Sequence, residues 1–470
     1  MESNVKKIAK FKKKYSKQSL NNNIFKSKSL VLTYLPSAFS VWILRHLLIK
    51  SDYKLKRESI KFFHLSNRAY GARELRKCCR LLSVAIQLLG SNFPQNFELL
   101  LNNAVSVTFK NSKCRSSLSD SIFDATKEID VMVFDATSWY QLSRGLFSLG
   151  YFRAAWVARE NSIERSVLEA AMKNASTTAL LRGVQALFEK TRFVDLREVL
   201  LKNKDKFSNK TFLDIESCLS LIEKSVRLTV EGELFNVESN RKLLMDLVLE
   251  KTVALVGPGV PHDDFGNEID AFDTVIRLKF IDRGMLDDRR FHGDRTDVSF
   301  IGVVTAVKLQ EDNMEKDLKS FKLLLSNPTK FSKIGSTPIY SFNDSDVVFR
   351  TPTTSGIRTL NEILKFSPAK LKIFGFDFYT TLTPYSKQMT EFYETSSWVF
   401  EHPNDFVADG VYFKFARARD FSVHDPVSNF CFAQNLYKAG LFDIEPYGKS
   451  ILELTPYQYV ERLEEMLGDW

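Results

Sequence analysis

The stretch Lys251-Thr-Val-Ala-Leu-Val-Gly-Pro-Gly259 decides the fold of the C-terminal half of this 470-residue chain. Thr252–Val256 is a continuous apolar run rich in β-branched residues, and it ends at a turn built from two glycines and a proline. A continuous apolar run of this length is typical of a strand buried on both faces, as in a parallel sheet. We therefore predict a parallel strand that leads directly into a tight turn.

Other short apolar runs follow this strand, and stretches with a helical spacing of apolar residues separate several of them. Residues 357–366 have such a helical pattern, and residues 456–467 predict a helix that closes the chain. Alternating strands and helices are typical of an α/β domain with a mostly parallel sheet. The further runs predicted to be strands are 274–278, 298–304, 321–325, 338–342 and 371–376.

Residues 58–245 differ in character, because their apolar residues recur at helical spacing and predict an all-α domain. Two stretches that begin at Arg144 and Arg182, 38 positions apart, place glycine and aromatic residues at similar offsets. The pattern resembles degenerate tetratricopeptide-type repeats, which form docking surfaces or spacers. An ordinary helical domain without repeats is the alternative. We predict three parts: residues 1–57, a helical domain at 58–245, and an α/β domain at 246–470.

The N-terminal part is strongly basic, with nine lysines and a single glutamate in residues 1–28. Pro36, Arg45 and His46 interrupt the apolar segment 29–49 that follows, so it is too short for a comfortable transmembrane span. We predict that residues 1–49 lie on an anionic membrane surface, with the apolar segment as an interfacial helix. A solvated tail before a core helix is the alternative. Nucleic acid is not expected as a partner, because no zinc pattern accompanies the lysines.

Four short blocks follow one another around the first strand. They are Val253-Ala-Leu-Val-Gly-Pro-Gly259, Phe265-Gly-Asn-Glu-Ile-Asp270, Asp273-Thr-Val-Ile-Arg277 and Gly293-Asp-Arg-Thr-Asp-Val298. In order and content these blocks resemble the large sialyl motif of animal sialyltransferases. The glycine turn alone is a weak signal, because His262 stands where a dinucleotide fingerprint has its third glycine.

Two later regions extend the resemblance, which covers roughly residues 250–440. Pro352-Thr-Thr-Ser-Gly-Ile357, followed by Leu371-Lys-Ile-Phe-Gly-Phe-Asp-Phe-Tyr379, is similar to the small sialyl motif. It is closer still to bacterial lipooligosaccharide sialyltransferases, in which a second tyrosine lies six residues after the first, as Tyr385 does here. His424-Asp-Pro-Val-Ser-Asn429 resembles the very small motif, whose histidine is the catalytic base.

The resemblance implies a sialyltransferase-like, GT-A-variant fold and a particular reaction. A CMP-activated acidic sugar, sialic acid or Kdo, would be moved with inversion to a glycan or glycolipid acceptor, as in bacterial lipopolysaccharide or capsule synthesis. These relatives need no cofactor and no metal. The Asp-x-Asp formed by Asp344 and Asp346 is better explained as a turn than as a metal site.

The resemblance also assigns roles to particular residues, and their chemistry suits those roles. His424 would be the general base, since imidazole titrates near neutral pH. Tyr379 and Tyr385 would donate hydrogen bonds to the departing CMP phosphate. The remaining predicted donor-binding residues are Gly257, Pro258, Gly259, Lys279, Thr354, Ser355, Gly356 and His402. Each role has a structural alternative. Residues 257–259 could be a plain turn and residues 354–356 a helix cap, while the two tyrosines could be aromatic core residues and the histidines ordinary turn or loop residues.

The chain departs from the family pattern at three positions of the predicted site. Pro258 and Lys279 stand where the family usually has asparagines that contact the nucleotide or donor. Lys279 could instead pair with a phosphate or a carboxylate as a point charge. Asn429 stands where the family has glutamate, which leaves the orientation of His424 open.

The cysteines and the missing disulfide bear on the cellular compartment. Animal enzymes join their large and small motifs by a disulfide, but the matching positions here are Val253 and Pro368. The five cysteines are scattered without the spacing of a metal site, which is typical of a reducing compartment. We therefore predict a bacterial-type enzyme that is peripheral on the inner, cytoplasmic face of the cytoplasmic membrane.

Two other functions remain open from the sequence. A relative that glycosylates protein, such as the flagellin-modifying transferases, would use the helical domain to bind its polypeptide acceptor. A non-catalytic scaffold with a degenerate nucleotide-binding module is the second, and the two missing asparagines favour it. The presence of His424 with both Tyr379 and Tyr385 favours an enzyme.

Overall fold

The computed structural model describes residues 115–148, 150–223, 239–259, 263–280, 289–302, 318, 320–326, 333–342, 346–351, 353–381 and 424–467. The chain divides into two compact units, Met1–Val133 and Phe134–Trp470. In the first unit the described part is helix α1 (Arg115–Lys127) with a 3-10 turn at Val131–Val133. The basic tail and the predicted interfacial helix lie outside the described residues.

The second unit begins with helices and continues into the sheet. Both repeat-like stretches span a turn between two helices, and a tetratricopeptide-type repeat stays a prediction. These helices belong to the same compact unit as the sheet, and the domain boundary between residues 245 and 246 stays a prediction. The helices before the sheet are α2 (Ala136–Ser148), α3 (Phe152–Ala170), α4 (Thr177–Glu189), α5 (Phe193–Lys202), α6 (Asn209–Glu223) and α7 (Ser239–Val248).

An eight-stranded sheet forms the centre of this unit, with the order β5-β6-β4-β3-β2-β1-β7-β8. Neighbouring strands pair in parallel except for β5 and β6, which are antiparallel. The prediction of an α/β fold with a mostly parallel sheet is therefore confirmed. The strands are β1 (Thr252–Val256), β2 (Thr274–Leu278), β3 (Val298–Ile301), β4 (Leu323–Ser326), β5 (Lys333–Ile334), β6 (Thr337–Ser341), β7 (Lys370–Phe374) and β8 (Asp443–Ile444).

The observed strand bounds follow the apolar runs closely. β1 and β2 occupy the predicted residues 252–256 and 274–278. β7 ends at Phe374, before the predicted end at residue 376, because Gly375 takes a φ of 65°. That left-handed conformation breaks an extended strand and is adopted readily by glycine.

The strand order reverses at β1, and this reversal creates a topological switch point at the carboxyl ends of β1 and β7. The chain lays β2, β3, β4 and β6 on one side of β1, then crosses to place β7 and β8 on the other. In open α/β sheets, ligands bind outside the carboxyl ends of the strands at such a switch point. The turns that follow β1 and β7 meet there, since the Gly257 amide donates to the Phe374 carbonyl at 2.7 Å.

The core is built around β1, which has strands on both edges and a helix on one face. Ala254 and Val256 point to the same face, because side chains alternate along a strand. There they pack with Ile269 from the short helix α8 (Gly266–Asp270) and with Phe374 of β7. Val253 and Leu255, which point to the opposite face, are also fully buried, so both faces of β1 require apolar residues.

The other described helices lie between or after the strands. They are α9 (Arg289–His292), α10 (Ser355–Leu364), α11 (Pro426–Lys438), α12 (Pro446–Leu452) and α13 (Pro456–Leu467). The closing helix α13 has the predicted bounds. α10 begins at Ser355 rather than at residue 357, because Thr354 is its N-cap. Within the described ranges, no helix combines the length and the apolar character that crossing a bilayer requires.

Candidate functional site

The turn after β1 owes its glycines to close packing against the turn after β7. A Cβ added to Gly257 would lie 2.3 Å from the carbonyl oxygen of Gly375, and one added to Gly259 would lie 2.9 Å from the same oxygen. Both distances are too short for a real Cβ contact with backbone. Close packing therefore explains the presence of both glycines, in addition to the role in donor binding that the sequence predicts for them.

We expect Gly257→Ala to lower the free energy of unfolding by about 1–3 kcal/mol, because the new methyl group overpacks a rigid backbone contact. Gly448→Ala is a matched control, since its added Cβ would meet the side-chain atom Cδ1 of Ile444, which can shift. Urea unfolding monitored by circular dichroism measures both. An equal cost for the two substitutions would contradict the role of the Gly257–Gly375 contact.

The predicted Thr354, Ser355 and Gly356 turn lies at the N-terminus of α10. Thr354 is the N-cap residue, yet its side chain makes no capping hydrogen bond. Its amide and hydroxyl instead donate to Oδ1 of Asn429, at 3.0 and 3.2 Å. Because the Thr354 side chain contacts Asn429 and does not cap the helix, the first amides of α10 are suited to donate hydrogen bonds to a bound anion.

The ring of Phe376 joins this turn to the end of β1. A Cβ added to Gly356 would lie 2.6 Å from the Phe376 ring, and one added to Gly257 would lie 2.8 Å from it. Gly356 also faces Leu278, the last residue of β2, with its added Cβ 3.3 Å from the Leu278 side chain. Three predicted segments, those around Gly257, Lys279 and Gly356, are thereby brought to the same edge of the sheet.

The His424 segment is attached to the same place by Asn429. The Asn429 amide nitrogen donates to the carbonyl of Asp425 at 2.6 Å, while its oxygen accepts from Thr354. The Asp425 amide in turn donates to the hydroxyl of Thr351 at 2.9 Å. An amide side chain can donate and accept at once, which an ionised glutamate cannot do. Asn429 is therefore suited to hold the two segments together, and His424 lies half-buried beside them.

Asp425, the residue after His424, is the fully buried N-cap of α11. Its carboxylate accepts from the Ser428 amide at 3.2 Å, from Arg159 at 2.7 Å and from the Tyr140 hydroxyl at 2.8 Å. Arg159 lies on α3 and also pairs with Glu189 on α4. The sequence did not single out these helical residues, because nothing local distinguishes a buried arginine on a helix from an exposed one.

The surroundings of Asp425 keep its carboxylate ionised. Burial alone would raise the pKa of Asp425, but the charges of Arg159 and Arg144 and the hydrogen bonds from Arg159 and Tyr140 hold this pKa well below its usual range. Burial and the charge of Asp425 raise the pKa of Tyr140, so its phenol remains a hydrogen-bond donor. The contribution of Asp425 to stability is therefore complete above pH about 4 and is lost as the pH falls through the lowered pKa.

Tyr379 lies in a tight turn after β7. Phe378 and Tyr379 have φ values of 48° and 67°, which are unusual for residues with bulky side chains. The Asp377 carboxylate accepts from the Tyr379 amide at 3.0 Å, and the Tyr459 hydroxyl donates to the Phe378 carbonyl at 2.7 Å. Such strained turns cluster at functional sites. Tyr379 is half-buried there, whereas Tyr385 and His402 lie outside the described residues.

Lys279 follows β2 and has a φ of 60°, with its amide donating to the Phe300 carbonyl at 2.7 Å. Asparagine adopts this left-handed conformation more easily than lysine does. The backbone therefore suits the asparagine that the resemblance leads one to expect, although the chain carries lysine. Pro258, the other departure, is half-buried in the turn after β1.

Hydrogen bonds join the two blocks at 265–270 and 293–298 to each other and to β2. The Asp270 carboxylate accepts from the amides of Asp294 and Arg295 at 2.8 and 2.9 Å. Arg277 of β2 donates to the carbonyls of His292 and Arg295 at 2.6 and 2.9 Å, and burial lowers its pKa to about 10. His292 is buried at the end of the short helix α9.

Comparisons with protein-family models, with curated proteins and with solved structures found no match to this chain. Among the described residues, no group of three or more histidine, cysteine, aspartate and glutamate side chains is arranged to hold a metal ion. The described cysteines, Cys218 and Cys431, are both buried thiols. What the site can do therefore has to be inferred from its own geometry.

Proposed function

We propose that the chain is an inverting glycosyltransferase that moves an acidic sugar from a CMP-sugar donor to a glycan or glycolipid acceptor. One observation carries the proposal: Asn429 ties the His424 segment to Thr354 at the start of α10, beside the end of β1. The proposed base, a helix start suited to an anion and a glycine turn would then act together at the switch point of a parallel sheet. The proposal includes a sialyltransferase-like, GT-A-variant fold for this α/β part.

In the proposed reaction, His424 takes the proton from an acceptor hydroxyl as its oxygen attacks the anomeric carbon of the sugar. The bond between that carbon and the phosphate oxygen breaks, and CMP leaves with the electron pair on the opposite face. The first amides of α10 and the hydroxyls of Tyr379 and Tyr385 would donate hydrogen bonds to the phosphate, where negative charge develops. Every step uses protein groups alone, without a cofactor or a metal.

The basic segment and the acceptor belong to the same proposal. Nine lysines in residues 1–28 and the apolar segment 29–49 would hold the protein on the inner face of the cytoplasmic membrane. A lipid-linked glycan, of the kind that is built into lipopolysaccharide or capsule, is presented at such a surface. The proposed acceptor and the proposed location therefore support each other.

Thermal unfolding in the presence of CMP, UDP or NAD tests the donor class. We expect CMP at about 100 times its Kd to raise the free energy of unfolding by about 2.7 kcal/mol, with little effect of UDP or NAD. The variant Tyr379→Phe should weaken the effect of CMP, because it removes a hydroxyl donor. Tyr437→Phe serves as the control, since Tyr437 is also half-buried but packs against Phe442. Stabilisation by none of the three would favour a non-catalytic module.

A further inference from the structure

A buried ion cluster attaches the turn that carries His424 to the helices that precede the sheet. Arg159 on α3 is completely buried, and its guanidinium donates to three side chains. It reaches Asp425 at 2.7 Å, Glu189 at 2.7 Å and Ser428 at 2.7 Å. A single side chain therefore connects α3 with α4 and with the first turn of α11.

The other segment of the candidate site is attached to the same helix. Arg350 donates to the hydroxyl of Ser162 on α3 at 2.8 Å. The next residue, Thr351, accepts from the Asp425 amide. Helix α3 thus holds the start of the Thr354 segment through Ser162 and the start of the His424 segment through Arg159.

Stability alone is a poor explanation for this cluster. Taking a guanidinium and two carboxylates out of water is costly, and apolar side chains of similar volume often stabilise a core as well or better. What the cluster supplies is direction: donors from Arg159 and Tyr140 and the amide of Ser428 converge on the Asp425 carboxylate. The Asp425 amide also donates to the Thr351 hydroxyl, so both the backbone and the side chain of Asp425 are fixed in position. The fixed backbone of Asp425 in turn restricts the direction in which the side chain of the adjacent His424 points.

We propose that Arg159 is a positioning residue for His424, acting through Asp425. The inference rests on the proposed function, because it assigns Arg159 a part in the reaction for which His424 is the base. It also gives the helices before the sheet a part in that reaction. A misplacement of about 1 Å in a reacting group can lower a rate by about 100-fold.

The conservative variant Arg159→Lys tests this role, because lysine keeps the charge and loses the planar fork that contacts several partners at once. We expect the kcat for hydrolysis or transfer from CMP-sialic acid and CMP-Kdo to fall by about 100-fold. The CMP-induced thermal shift should stay unchanged. Arg165→Lys is the matched control, since Arg165 lies on the same helix and pairs with Glu169. Its effect on kcat should be small.

A double-mutant cycle separates positioning from general support. If Arg159 acts through His424, Arg159→Lys should cause no further loss in a His424→Ala background. The same factor of loss in both backgrounds, or a parallel loss of CMP binding, would overturn the proposal. Should Arg159→Lys fail to unfold cooperatively, Ser428→Ala replaces it, because Ser428 contacts both Arg159 and Asp425 while carrying no charge.

A spectroscopic measurement keeps this inference separate from the proposed function. The chain has six histidines, and the ring signal of His424 can be assigned by its loss in His424→Gln. We expect Arg159→Lys to shift or broaden that signal and to leave the other five unchanged. An unmoved His424 signal would contradict the positioning role even in an active enzyme. Absence of CMP binding and donor cleavage in the wild type would instead remove the proposed function.

Discussion

Replacing His424 with alanine should lower the rate of sugar transfer by about 10²- to 10⁴-fold, which is the usual contribution of a general base. The expectation follows from the position of His424, half-buried beside Asp425 and next to the Thr354 turn. An acceptor hydroxyl is a weak nucleophile until its proton is removed, so the loss should appear in kcat. CMP binding should be nearly unchanged, because the proposed base would contact the acceptor and not the nucleotide.

Transfer from CMP-sialic acid and from CMP-Kdo, measured for the wild type and the variant, is the required assay. His64→Ala is a suitable control, since the sequence places His64 outside the proposed catalytic part. A variant that turns over the donor as fast as the wild type would remove His424 from the role of base. Donor hydrolysis by water should be followed separately, because water can partly replace the acceptor hydroxyl.

Replacing Arg159 with methionine should lower the free energy of unfolding by about 3–5 kcal/mol, the largest stability effect we expect in this chain. Methionine replaces the unbranched stem of arginine but leaves the carboxylates of Glu189 and Asp425 buried without their cation. Both partners are buried, so water cannot replace the lost donors. Breaking one partner of a buried ion pair is costly for this reason.

Arg192→Met is the matched control for this prediction. Arg192 pairs with Asp195, but the two side chains are 53% and 44% exposed, so this pair should contribute at most about 1 kcal/mol. Urea unfolding of both variants and the wild type, at pH 7 and moderate salt, measures the difference. A cost at Arg159 no larger than the cost at Arg192 would show that the buried carboxylates of Glu189 and Asp425 do not depend on the Arg159 cation.

The positions of the strands were predictable because a strand buried on both faces is apolar along most of its length. Thr252–Val256 and Thr274–Leu278 are mostly apolar and are bounded by turn residues, so the sequence indicated where each strand ends. Arg277 is a buried charged exception in the second of them. The closing helix 456–467 was visible for a related reason, since its apolar residues recur with helical spacing. The end of β7 was less visible, because Phe376 continues the apolar run beyond Gly375.

The candidate site was predictable in part. The residues around Gly257, Thr354 and His424 were singled out by a resemblance spread over separate blocks, and the fold brings these blocks to one edge of the sheet. Asn429, noted only as a departure from a family pattern, holds two of the blocks together through both atoms of its amide group. A side chain that bridges two loops shows this role only when both loops are in place.

From the residue order by itself came the class of fold, the positions of most strands and the segments that could carry chemistry. These properties depend on near neighbours along the chain, since burial and periodicity leave local patterns. The strand order, the grouping of the helices after residue 133 with the sheet and the Arg159–Asp425 pair depend on residues far apart in the sequence, 266 positions in the case of that pair. Short apolar strands are interchangeable as sequences, and a charged helix residue normally faces water. Folding alone selects which strands become neighbours and which arginine is buried against which carboxylate.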